Sequence, residues 1–276
     1  MTHTLNILAV FPHPDDSVIY AGASLNKWVR EGHKVSAICC TDGEVGTLRT
    51  DLSKEDVSRL RKNELMAACK IIGITDIEML HYPDAGVMDP KGLRKDLIRC
   101  MRKYKPDRVL SMDPWAPYEI HPDHRMVGQM SAEAAAFAGF PLLYTEQLNQ
   151  EIHPHTASEV WFMGLLGHRP NCFVDVSTSI DKKVEALLQF ETTLSIITEL
   201  LGLEIHMDTI STKTSQDIIH QANEWIRTDA EKIGKHAGLT AAEAFYVLKC
   251  LPGHFDNLQR ATKEVFGDPD EAPMIC

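Results

Sequence analysis

The sequence contains no C-x-x-C pair, and its 7 cysteines are irregularly spaced. A disulfide scaffold is therefore not expected, and the cysteines read as reduced, cytoplasmic thiols. Cys39 and Cys40 sit inside an apolar run and read as core residues. No apolar stretch approaches the roughly 20 residues of a membrane span. The opening MTHTLNILAVFPHPDD lacks both a basic region and a small-residue cleavage site, so no signal peptide is expected. Positive charge is also short: 28 Lys and Arg face 39 Asp and Glu, a formal net charge of -11. That balance argues against broad nucleic-acid binding and against docking on an anionic membrane. The first turn lacks G-x-G-x-x-G, and G-x-x-x-x-G-K-[ST] occurs nowhere. A nucleotide-binding domain that cradles phosphate with its backbone is thus not encoded. There is no internal repeat and no low-complexity tract.

What is present is an ordinary globular composition, 44% hydrophobic and 24% charged over 276 residues. That is enough chain for a sizeable core. Two periods alternate along the first third. Leu5 to Phe11 is a β-type apolar run, and Ser17 to Arg30 carries Val18, Ala21, Leu25, Trp28 and Val29 at helical spacing. KVSAICC, residues 34 to 40, is a second strand. Ser53 and Asp56 have capping-box spacing and open a helix that Gly73 ends. Asp76 to His81 is a third strand, Gly92 to Tyr104 a helix, and Arg108 to Met112 a fourth strand. Residues 126 to 138 read as helix, and 158 to 163 and 172 to 176 as strands. A further helix follows Asp175. Thr240 and Glu243 also have capping-box spacing.

Strands separated by such helices give right-handed βαβ units and a mostly parallel sheet, a Rossmann-like three-layer α/β sandwich. The expected organisation is one domain over 1–276. Its core spans about 5–190, a mainly helical part 191–266, and a loose tail 267–276. In open sheets of this kind, sites form beyond the carboxyl ends of the strands. All four of the first strands end in unusual polar clusters: HPDD, TDGEVG, YPDAG and HPDH.

HPDD places His13 and Asp16 three residues apart where a strand turns into a helix. Imidazole nitrogen and carboxylate oxygen are zinc donors. Asp15 would stand beside such an ion and could take a proton from its water. The plainer reading is that Asp15 or Asp16 only caps the next helix. HPDH, residues 121 to 124, repeats the pattern and supplies His124 as a third ligand, leaving one position open, which is the catalytic arrangement. His121 could stabilise an oxyanion or protonate a leaving amine, with Asp123 orienting it. The plainer reading here is two surface histidines in a proline-rich loop.

HPDD, TDGEVG, RKNE at 61 to 64, PDAG at 83 to 86 and HPDH, in this order, resemble the PIG-L/LmbE-like family of zinc-dependent N-deacetylases. AAEAF at 241 to 245 resembles the family's late signature. The resemblance implies His13, Asp16 and His124 as zinc ligands, Asp15 as general base, and His121, supported by Asp123, as electrophilic or acidic partner. It implies Glu44, Arg61 and Asp84 as substrate-lining residues. The bland readings are a loop brace for Glu44, a surface charge for Arg61 and a turn residue for Asp84.

The implied reaction removes an N-acyl group, acetyl first, from an amino sugar or sugar conjugate. The implied partners are a small N-acylated substrate and further copies of the chain, with neither nucleic acid nor membrane. The same donors accept Fe2+, cobalt or manganese. The rivals are an amidase or deacylase acting on a non-sugar or thiol-conjugate amide, and a metal-binding protein without turnover. Three positions depart from the family pattern. Ser17 replaces a Glu and Pro12 a small residue, and LQFETTL carries Phe190 where relatives tend to have His followed by Ser-Gln.

Overall fold

A computed structural model describes residues 4–86, 89–164, 170–200, 214–250 and 274–275. The elements alternate through the first half. They are β1 (Asn6–Phe11), α1 (Asp16–Arg30), β2 (Lys34–Thr41), α2 (Lys54–Ile72), β3 (Asp76–Tyr82), α3 (Pro90–Tyr104), β4 (Arg108–Met112) and α4 (Pro122–Phe137). A 3-10 turn (Thr145–Gln147) and β5 (Glu159–Met163) follow, then β6 (Cys172–Asp175), α5 (Ile180–Leu187) and α6 (Glu191–Leu200). The last elements are α7 (Thr214–His236), β7 (Ala242–Lys249) and β8 (Met274–Ile275).

One sheet runs in the order β3-β2-β1-β4-β5-β7-β6-β8. Its first five strands are parallel. β7 enters antiparallel to both β5 and β6. The strand side chains alternate between two cores, which makes the fold three-layered. Ile7, Ala9 and Phe11 pack with Leu25 and Trp28 of α1, Leu65 of α2 and Leu187 of α5. Leu8 and Val10 face the opposite way and pack with Leu93, Leu97 and Met101 of α3 and Val127 of α4. Burial on both faces explains why these strands read as unbroken apolar runs.

β1 is bonded to β2 on one side and to β4 on the other. The chain therefore changes direction across the sheet between β1 and β4, and the crevice above that point is where α/β sheets hold ligands. HPDD leaves β1 there and HPDH follows β4. Gly128 lets α4 lie close to β4, since a Cβ at that position would fall 2.3 Å from the Met112 carbonyl oxygen.

Several expectations are corrected. α4 begins at Pro122 rather than 126, because proline suits the first helical turn and His121 caps it. Ala242–Lys249 is a strand, not a helix start: its buried residues alternate, and it fills the gap between β5 and β6. Met274–Ile275, placed in a loose tail, pair in parallel with Cys172 and Phe173; the rest of that tail lies outside the described residues. Cys39, Cys40, Cys69, Cys100 and Cys250 are free and buried. Cys172 is disulfide-bonded, which overturns the reading of every thiol as reduced.

The irregular stretch after α4 is organised from outside. Arg102 of α3 is fully buried and donates to the carbonyls of Ala138, Phe140, Leu143 and Tyr144 and to the Gln147 side chain.

Candidate metal centre and active site

The connection Pro12-His13-Pro14-Asp15 leaves β1 and enters α1. Asp16 closes it. Its Oδ2 accepts the His13 backbone N–H at 2.8 Å and lies 3.0 Å from His13 Nδ1. Its Oδ1 lies 3.5 Å from His124 Nε2. Both histidines are buried, so the surface-loop reading of the HPDH cluster fails for His124. Glu119 turns the His124 ring, with Oε2 at 3.1 Å from Nδ1. A carboxylate on one ring nitrogen fixes the tautomer and frees the other for a metal.

His121 is the N-cap of α4, and its Nδ1 accepts the Asp123 backbone N–H at 3.3 Å. A neutral ring with Nδ1 accepting carries its proton on Nε2. The ring stacks on His124, with centroids 4.6 Å apart, and meets His13 edge-on. The Asp123 carboxylate is used elsewhere. Its Oδ2 accepts from Ala85 N–H at 2.9 Å and lies 3.3 Å from His13 Nε2. The orienting of His121 thus falls to the Asp123 backbone rather than to its carboxylate.

Asp15 makes no side-chain cap on α1, so the capping explanation fails for it. Its Oδ1 accepts from Arg61 Nη2 at 2.7 Å and its Oδ2 from Thr193 Oγ1 at 2.6 Å. Arg61 is buried against the TDGEVG loop rather than solvated as a surface charge. A Cβ at Gly43 would fall 2.4 Å from its Nε, and Gly43 holds φ +66°. That loop needs glycine because the guanidinium passes against its backbone.

Asp84 and Glu44 brace one another. Glu44 Oε1 accepts from Asp84 N–H at 3.0 Å, and Asp84 Oδ1 lies 3.1 Å from His13 Nε2. All three residues that the resemblance assigns to substrate therefore contact protein groups in the site. Glu44 Oε2 is buried with no hydrogen-bond partner among the described residues.

The electrostatics follow from this crowding. Burial opposes protonation of His13, yet the Asp16 charge and hydrogen bonds from Asp123, Asp16 and Asp84 hold its pKa well above the usual value. Burial would raise the Asp16 carboxyl, but the His13 and His124 imidazoles pull it down. Burial, then His13 and His124, push the His121 pKa below its usual value, while the Asp123 and Asp16 charges pull it back up.

The residues fit a divalent ion. His13, His121 and His124 form one group whose donor atoms lie within 4.8 Å of one another, and His13, Asp84, His121 and Asp123 form a second; Asp16 belongs to neither group, though its Oδ1 lies 3.5 Å from His124 Nε2. Asp123 Oδ1 is buried with no hydrogen-bond partner among the described residues. Three carboxylates converging on one imidazole are an excess of negative charge that a cation neutralises. Mixed nitrogen and oxygen donors suit zinc and its neighbours.

Residues 8–135 match the PIG-L family model, described as GlcNAc-PI de-N-acetylase. Over 249 residues the chain is 30% identical to diacetylchitobiose deacetylase of Thermococcus kodakarensis, covering 90% of this chain and 84% of that one. The chain belongs to the PIG-L family. Among PIG-L relatives, a probable N-acetyl-alpha-D-glucosaminyl L-malate deacetylase 2 of Bacillus anthracis is 31% identical over 141 residues, 49% of this chain and 62% of that one. The structure of N,N'-diacetylchitobiose deacetylase from Pyrococcus horikoshii, complexed with the inhibitor MPG, superposes with a TM-score of 0.74 at 29% identity. It covers 88% of this chain and 83% of that one.

Two residues of this PIG-L site escape a motif reading. Glu119 holds both histidines of HPDH, through the His121 N–H at 2.8 Å and the His124 ring. Its signal was an acid two residues before His121. Thr193 reaches Asp15 from α6, where nothing in the local sequence distinguishes it from an ordinary helix residue. Glu64 of RKNE anchors that helix by accepting from Thr192 N–H at 2.9 Å and Thr192 Oγ1 at 2.6 Å. Glu243 of AAEAF accepts from the Ala23 and Ser24 N–H groups and from Lys183 Nζ, which makes it a buried brace for α1.

Proposed function

We propose that this chain is a metal-dependent N-deacetylase that hydrolyses the N-acetyl amide of an amino sugar or sugar conjugate, with zinc as its ion. The reading is supported chiefly by a division of labour between neighbours. Asp16 lies between His13 and His124 as a ligand would, while Asp15 turns away to Arg61 and Thr193. A site that only stores metal has no use for the second carboxylate.

His13, Asp16 and His124 would hold the ion. Bound there, zinc polarises an amide carbonyl and lowers the pKa of its water from about 15.7 toward about 7. Asp15 takes the proton of the attacking water. Each carboxylate oxygen has two lone pairs, so Arg61 and Thr193 leave room for that proton. His121 donates from Nε2 to the oxygen that becomes negative in the tetrahedral intermediate. Asp15 then returns its proton to the departing nitrogen, and amine and acetate separate. Glu44 braces the substrate side of the site through the Asp84 N–H. Asp84 acts one step back, by orienting His13.

Among the described residues no helix is long and apolar enough to cross a membrane. A cytoplasmic setting rests on the free cysteines Cys39, Cys40, Cys69, Cys100 and Cys250, and the disulfide at Cys172 counts against it; self-association rests on the family resemblance alone.

The test is amine release from N-acetylated amino sugars, with non-sugar amides in the same panel, using metal-stripped protein with and without zinc. Sugar turnover that requires added metal and is lost in Asp15→Asn is the expected result. Turnover of non-sugar amides alone overturns the substrate assignment. Turnover without metal, or in Asp15→Asn, overturns the mechanism.

A further inference from the structure

We propose that Thr193 is a positioning residue for the general base: its hydroxyl fixes the second oxygen of Asp15, so that α6 and Arg61 together set the direction in which that carboxylate accepts a proton. The inference rests on the reading of Asp15 as base.

Three observations carry it. The first is direction. Arg61 Nη1 lies 3.5 Å from Thr193 Oγ1, while Oγ1 lies 2.6 Å from Asp15 Oδ2. The hydroxyl oxygen faces a pure donor on one side, so its own hydrogen points to Asp15. The second is completeness. The torsion that swings a carboxylate about its stem is soft. Arg61 Nη2 at 2.7 Å holds only Oδ1. With Thr193 on Oδ2 the plane of the group is fixed at two points. The third is support. Thr193 and Asp15 are both buried, 178 residues apart in the chain. The chain is tied down just before the contact, at the start of α6. Thr192 is bonded through both its N–H and its hydroxyl to Glu64, and Phe190 is fully buried in the core.

Around the contact the chain reads FETT, residues 190 to 193. Phe190 goes into the core, Thr192 takes the anchor, and Thr193 places a short hydroxyl against the base.

The experiment compares Thr193→Val, which keeps the shape and removes the donor, with Thr193→Ser, which keeps the donor. Asp15→Asn is the reference. kcat and KM are measured on the acetylated amino sugar that the zinc-loaded wild type turns over fastest. Zinc retention against a chelator, thermal unfolding and a crystal structure of each variant are read alongside. Thr193→Val is expected to lose about 10- to 100-fold in kcat, the scale of one hydrogen bond to a charged group. KM, zinc retention and Tm should stay at wild-type values, with the Asp15 carboxylate rotated off its position. Thr193→Ser should recover most of the rate.

Wild-type kcat in Thr193→Val, or an unmoved Asp15 in its structure, overturns the inference. So does equal loss in both variants accompanied by lost zinc or a lowered Tm, which is the mark of packing. An active Asp15→Asn instead removes the premise, the base itself, and is thereby distinguished from failure of the positioning role.

Discussion

His13 and Asp16 are joined twice, through the backbone N–H of the histidine at 2.8 Å and through its ring at 3.0 Å, both to the same carboxylate oxygen. The first contact shapes the turn, and the second places a negative charge on the imidazole. The two roles can be separated, because an amide oxygen still accepts the backbone hydrogen but carries no charge. Asp16→Asn is expected to keep the wild-type fold and lose the metal. Metal content after dialysis and a thermal unfolding curve check both halves. A variant that retains stoichiometric zinc would remove Asp16 from the ligand set.

Under the proposed ligand set, Glu119 would act on the metal through His124, whose Nδ1 lies 3.1 Å from its Oε2. A carboxylate partner of a ligating histidine is worth roughly 10- to 100-fold in metal affinity. Glu119→Gln should therefore weaken zinc binding by about that factor. It should leave the secondary structure unchanged, as read by chelator competition and circular dichroism.

Gly43 carries two constraints, a positive φ and a guanidinium against its backbone. Gly43→Ala should cost about 1–2 kcal/mol for the backbone alone. Its Cβ also displaces Arg61 from Asp15. Denaturant unfolding should show the stability loss, and kcat should fall further than stability explains. Normal kcat in a folded Gly43→Ala would mean that Arg61 does not set the base.

Lys183 and Glu243 form a buried pair at 2.7 Å, with side chains 9% and 4% exposed. Removing one partner strands the other charge, at a cost of about 3–5 kcal/mol. Lys183→Met and Glu243→Gln should each destabilise strongly in urea. The double variant Lys183→Met/Glu243→Gln should cost less than the two single losses together, because no charge is then left alone and the amide oxygen still accepts from the backbone. Additive losses would mean that the pair is not coupled.

The βαβ half of the fold was legible because its signals are local. Ser53 and Asp56 form the capping box that their spacing announces, and Gly73 ends that helix at φ 97°. Strands buried on both faces leave long apolar runs that spacing alone detects. The antiparallel strand β7 was not legible. Thr240 and Glu243 carry the spacing of a helix start, and what decides the outcome is a vacant place between β5 and β6 that no local window contains. The site divides in the same way. His13, Asp15, Asp16, His121 and His124 announce themselves by charge at the ends of strands. Thr193 is invisible from sequence, since its function depends on a partner 178 residues away. Arg61 could be mistaken for a surface charge because helix periodicity does not reveal the loop that buries it.

Arg102 shows how shape can be stored away from the place where it is seen. The stretch from Ala138 to Gln147 has little regular structure of its own, yet its carbonyls converge on a guanidinium that lies 36 to 42 residues earlier. That stretch is a guest of α3. Gln147 apart, it can change its side chains while its carbonyls keep their host. Grafted onto another protein without the arginine, it would carry none of its course with it.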